Sequence, residues 1–222
     1  MTDRSRLHRA LEAHLPQKWL RDRMNRLRYG PDAPLSDECI WIDVQTVNHL
    51  YAPELRPDAP KLRRHDSGRV LAGDWDKARK PIHESLKAQA VRLHFMDGVL
   101  WRETPLYADL LTRIASGERP DELTSQADLD ARYAALDRLW EELKQTRRLK
   151  PKAEMPDQYR REHGGMLIHV GRDGTLMRSG GANHRFAMAR LAGLTTVPAQ
   201  VGGVHLDAVR SGLYARLRQP PG

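Results

Sequence analysis

Apolar residues return at helical spacing most clearly between Ser125 and Lys150, where Leu129, Tyr133, Leu136, Leu139, Trp140 and Leu143 form one stripe. Ser125 with Asp128 three residues later resembles a capping box, and Arg147-Arg148-Leu149-Lys150 brings the positive charge that suits a helix C-terminus. Such a stripe is core or a surface for a partner helix. A second pattern covers residues 4–28, offset near Pro16: Leu7, Leu11, Trp19, Leu20, Met24 and Leu27 recur, while Arg and Lys crowd the other positions. Its expected role is an arm packed on its own domain; contact with a membrane or nucleic acid is the alternative. Tyr29-Gly30-Pro31-Asp32-Ala33-Pro34 ends it. Shorter helices are predicted from Pro81 to Phe95 and from about Pro105 to Ser116.

Strand patterns are shorter. Cys39 to Val44 is a β-branched and aromatic run, with a short helix expected over Thr46 to Tyr51. Residues 52–68 hold three prolines and many charges and read as loop, and Arg69 to Asp76 is a brief apolar run closing on an acidic turn. Met166–Val170 and Thr175–Arg178 read as a hairpin joined at Asp173-Gly174. A helix follows over Phe186–Ala192, stopped by Gly193, and then a strand over Val197–Val201. The expected fold is α+β: a small mixed sheet from the strands near 39–44, 70, 166–178 and 197–201, with helices around it. The expected organisation is a basic helical arm at 1–34 and a single domain at 35–222 carrying a helical insertion at about 81–150.

A chain of 222 residues is long enough for a real core. Its 37 Lys and Arg against 29 Asp and Glu leave +8, which draws polyanions such as nucleic acid, anionic membrane or nucleotides, or simply leaves solvated basic faces. With Cys39 alone, no intrachain disulfide can form, and its apolar neighbours make it a packing residue. No run of about 18 apolar residues occurs and no apolar signal core follows the start, so the expectation is a cytoplasmic protein without a transmembrane segment.

The stretch that carries chemistry is Ser179-Gly180-Gly181-Ala182-Asn183-His184-Arg185, where a strand turns into a helix. Glycines let the backbone approach a ligand, and free N–H groups at a helix start favour an anion. His184 and Arg185 add side-chain donors, Arg with a planar fork suited to phosphate oxygens, and Asn183 caps the helix or touches the ligand. Phosphoryl transfer would also need a carboxylate and usually Mg²⁺. Asp74 and Asp76, flanking Trp75, are the best candidates as base or metal ligand; Glu103 and Asp173 are weaker, Asp173 shaping its hairpin. The histidines, including His163, His169 and His205, have no zinc-like partner set with cysteine, and no Walker loop, serine elbow or Rossmann fingerprint is present.

Asp173-Gly174, then Gly181-Ala182-Asn183-His184-Arg185-Phe186-Ala187-Met188-Ala189, Leu191-Ala192-Gly193 and Val197-Pro198 together resemble the ParB/sulfiredoxin-like superfamily (the ParB-like nuclease domain) over residues 165–205. Cys39 to Val47 is similar to its opening strand and helix. The resemblance implies a grip on nucleotide phosphates (ATP, ADP or CTP) at this turn, with His184 and Arg185 matching the pair that holds phosphate; Gly180, Gly181 and Asn183 are expected to join them, with Mg²⁺ at the phosphates. Asn183 falls where sulfiredoxin has its catalytic cysteine, which argues against that chemistry; Ala182 replaces a usual glycine, and Gly181 stands where many relatives have Asp. The expected function is a nucleotide- or phosphate-binding protein, as a phosphotransferase on a small molecule with Asp74 or Asp76 in the reaction. The alternatives are a nucleic-acid-associated ParB-like protein using its basic surface and a regulatory phosphate binder without turnover.

Overall fold

The computed structural model describes residues 14–83, 85–155 and 161–220. Seven strands and seven α-helices are present among them: α1 Leu15–Tyr29, β1 Cys39–Ile42, β2 His49–Tyr51, β3 Val70–Leu71, β4 Arg79–Pro81, α2 Leu86–Phe95, α3 Pro105–Ala115, α4 Gln126–Thr146, β5 Leu167–Val170, β6 Leu176–Arg178, α5 Asn183–Leu191, β7 Val197–His205, α6 Leu206–Arg210 and α7 Leu213–Leu217. The α+β class is as expected. The first part of the predicted 4–28 helix, residues 4–13, lies outside the described residues.

The chain forms two compact units: Met1–Ile82 with Lys150–Ala182 and Thr195–Gly222, and His83–Leu149 with Asn183–Leu194. The first holds the whole sheet, ordered β1-β7-β5-β6-β2-β4 with β3 also on β7. Pairing is mixed. β1 runs antiparallel to β7, β5 parallel to β7, β6 antiparallel to β5, and β2 parallel to β6. β5, β6 and β7 are buried at every residue, as strands covered on both faces are. The hairpin turns at Gly174, whose φ of +83° suits glycine, and Thr175 N–H donates to Asp173 Oδ1 at 2.9 Å.

Three elements differ from the sequence pattern. Thr46–Tyr51 is not a helix: Asp43 ties a turn by accepting from Gln45 N at 2.9 Å, and His49–Tyr51 becomes strand because β6 and β4 flank it. The Arg69–Asp76 run splits into β3 and a 3₁₀ turn at Trp75–Lys77. The predicted helix from Pro81 begins at Leu86, capped by Ser85 Oγ accepting from Ala88 N, because residues 79–81 pair with β2.

The second unit follows its pattern closely. Ser125 Oγ caps α4 by accepting from Asp128 N at 3.1 Å, and Leu129, Tyr133, Trp140 and Leu143 are buried. They pack with Trp101, Leu106, Tyr107, Leu110 and Met188; Trp101 stacks on Tyr133 at 4.4 Å and Phe95 on Trp140 at 4.6 Å.

Candidate phosphate-binding turn

β5 and β6 deliver the turn. The ladder continues past β6, with Ser179 N–H donating to Leu167 O at 2.9 Å. Gly180, Gly181 and Ala182 then take φ of +86°, +70° and +45°, three left-handed residues in succession. Glycine accepts this freely, whereas Ala182 carries a strain of roughly 1–2 kcal/mol. Position 182 is thus one whose backbone favours glycine.

Two guanidinium groups meet this turn within the first unit. Arg178 donates through Nη2 to Gly181 O at 3.0 Å. Burial pulls its pKa down to about 10, which leaves it cationic at neutral pH. Arg64 lies against Gly181 so closely that a Cβ there would fall on its Nη2. Arg64 donates to Gly165 O at 3.0 Å and to Gln200 Oε1; Gln200 in turn donates to Asp37 Oδ1 at 2.8 Å.

Asp37 is fully buried, receives both bonds from Lys18 Nζ at 2.8 and 2.9 Å, and has His163 Nδ1 at 3.3 Å. Burial opposes its charge, but the His163 and Lys18 hydrogen bonds prevail and bring its pKa down to about 2. A chain Lys18–Asp37–Gln200–Arg64 therefore holds one guanidinium at the glycine turn. Nothing local marks Arg64 in the sequence, since residues 52–68 carry no periodic signal and its partners Gly165 and Gln200 lie 101 and 136 residues further on.

Asn183, His184 and Arg185 open α5 and belong to the second unit, whereas Gly180 and Gly181 belong to the first. His184 is 5 % exposed and meets the Tyr133 ring edge-on at 6.0 Å. Burial first, then the positive charges of Arg132 and Lys87, push its pKa down to about 4. It is therefore a neutral imidazole at pH 7, able to share a hydrogen bond but bringing no charge. Arg185 is 9 % exposed. Asn183 borders a cavity of ≈ 360 Å³ with Lys87, Leu106, Asp109, Arg113 and Asp121, all of the same unit.

Asp74 and Asp76 sit elsewhere in the first unit, both on Arg172. Its Nη2 lies 2.7 Å from Asp74 Oδ1 and from Asp76 Oδ1, and its backbone N–H donates to Asp76 Oδ2 at 2.9 Å. Hydrogen bonds from Lys77 and then Arg172 bring Asp74 to a pKa of about 2; for Asp76 burial works the other way, and the Arg172 bonds outweigh it. Carboxylates so paired are weak bases, and their visible work is to tie Arg172 of the hairpin to the 3₁₀ turn.

Cys39 is half-buried, and its thiol is pushed up to about 12, by burial and then by Glu162, so it stays protonated. His169 is fully buried in β5, accepts from Gly203 N–H at 2.8 Å, and is driven by burial to about 3. Among the described residues, no three His, Cys, Asp or Glu side chains gather as a metal site and no helix is long and apolar enough to cross a membrane. No protein-family model matches the chain, nor does any curated protein or solved structure.

Proposed function

We propose that the turn Ser179–Ala182 binds the phosphate of a nucleotide or a related phosphorylated ligand. The carrying observation is the Arg64 guanidinium held against left-handed Gly181 by the Lys18–Asp37–Gln200 chain. A fixed positive charge beside a backbone without side chains suits a phosphate group. The resemblance to ParB/sulfiredoxin-like proteins supports the same reading and, in sequence, adds His184 and Arg185. Phosphotransfer through Asp74 or Asp76 would require one of them to exchange Arg172 for Mg²⁺ or an acceptor hydroxyl.

The test is thermal stability of the wild type, Arg64→Ala and Arg185→Ala against ATP, ADP, CTP, GTP and inorganic phosphate with Mg²⁺. A ligand at about 100 times its dissociation constant adds roughly 2.7 kcal/mol. The expected result is stabilisation of the wild type by one ligand, lost in Arg64→Ala at unchanged fold. No shift of the wild type with any of the five overturns the proposal. Consumption of the bound nucleotide in the presence of a metabolite panel separates an enzyme from a regulatory binder.

A further inference from the structure

Helix α1 is attached by its polar side. Lys18 is fully buried and Asn25, seven residues on, is 7 % exposed. Asn25 Nδ2 donates to Pro34 O and Gly68 O at 2.6 and 2.7 Å, and Arg21 Nη1 donates to His65 O and Ser67 O at 2.8 and 2.9 Å. Asp22, the only acid of α1, accepts from Ser36 N–H at 2.6 Å and pairs with Arg161 at 3.2 Å. The apolar side faces outward: Trp19 is 59 % exposed, Leu20 58 %, Met24 42 % and Leu27 82 %. At 100° per residue these four span an arc of about 140°. Arg26 and Arg28, both exposed, lie just beyond its two ends, and Arg23 within it rests over the Trp19 ring at 5.0 Å.

A contiguous exposed apolar face of this kind is uncommon unless something covers it. The charge on it selects the cover. Its ionic groups are the arginines at 23, 26 and 28, with the one acid turned inward. A second copy would set arginines against arginines. A duplex would take the arginines but give Leu20, Met24 and Leu27 nothing to bury against. An anionic lipid surface answers both: aliphatic side chains enter the head-group boundary, tryptophan suits that level, and flanking arginines extend their stems to reach phosphate. We propose that α1 is an interfacial helix that docks this protein on an anionic phospholipid surface, its orientation fixed by the buried Lys18–Asp37 pair on the opposite side.

The test is co-sedimentation of the full chain with vesicles of phosphatidylcholine alone and with phosphatidylglycerol added, at low and high salt, beside light scattering and duplex-DNA binding. The expected result is salt-sensitive binding to the anionic vesicles at least tenfold above neutral ones. It should fall at least tenfold in Leu20→Glu/Leu27→Glu and in Arg26→Glu/Arg28→Glu, each checked for an unchanged circular-dichroism melt. A blue shift of tryptophan emission on vesicles should vanish in Trp19→Phe, which keeps the proposal testable if a charge variant misfolds. Absent or charge-independent vesicle binding overturns it. So does a dimer that both double variants dissolve, or duplex binding tighter than vesicle binding at the same salt.

Discussion

Helices α1 and α4 read alike in sequence and are used in opposite ways. α4 buries Leu129, Tyr133, Trp140 and Leu143 and turns charge to water, while α1 buries Lys18 and Asn25 and turns Trp19, Leu20, Met24 and Leu27 to water. The difference follows from the neighbours. α4 meets an apolar surface built by Trp101, Leu106, Tyr107 and Leu110. α1 meets a polar one: the Asp37 carboxylate and the carbonyls of Pro34, His65, Ser67 and Gly68. Apolar burial is non-directional and tolerant, whereas a buried ion pair holds only when every partner is in place.

The largest expected effects lie on the buried sides. Lys18→Ala leaves Asp37 charged and fully buried, and urea unfolding should lose about 3–5 kcal/mol. Leu129→Ala should lose about 2–5 kcal/mol, for a cavity instead of an unpaired charge. Only the Lys18 variant should also weaken the proposed phosphate binding, because Lys18 supports Arg64 through Asp37 and Gln200.

Acid should separate the two kinds of contribution. His184 and His169 have folded pKa values near 4 and 3 against 6.5, so the unfolded chain takes up their protons first, and stability falls as pH drops below 6.5. Asp37, lowered from 3.8 to about 2, contributes stability that is complete above pH 4 and is lost between about pH 4 and 2. Melting temperatures from pH 7 to 4 should therefore fall about half as steeply in a folded His184→Gln variant, where His169 remains, and keep their full slope in Asp37→Asn.

Smaller effects test the outward sides and the turn. Leu27→Glu on α1 should change stability by less than about 0.5 kcal/mol, whereas Leu143→Glu on α4 should prevent folding. Ala182→Gly should gain up to about 1 kcal/mol by relieving the left-handed alanine, and Gly181→Ala should be destabilising and cost phosphate affinity, since its Cβ would displace Arg64.

Much of the architecture is local information. The α4 stripe with its Ser125 cap, the hairpin at Asp173-Gly174, the β7 strand and the glycines after β6 are set by periodicity and turn chemistry within a few residues. The strand at His49–Tyr51 is not, since its pattern is too short to choose and β4 and β6 chose for it.

The candidate site divides in the same way. Gly180 and Gly181 stand out in the sequence because backbone freedom belongs to the residue itself. Arg64 does not, because only distant chain segments, Gly165 and Gln200, hold its guanidinium at the turn. The apolar periodicity of α1 likewise says that one face is greasy without saying which way it points. That was decided by Asp37 and the carbonyls around it, which accept hydrogen bonds that the apolar residues of α1 do not have to give.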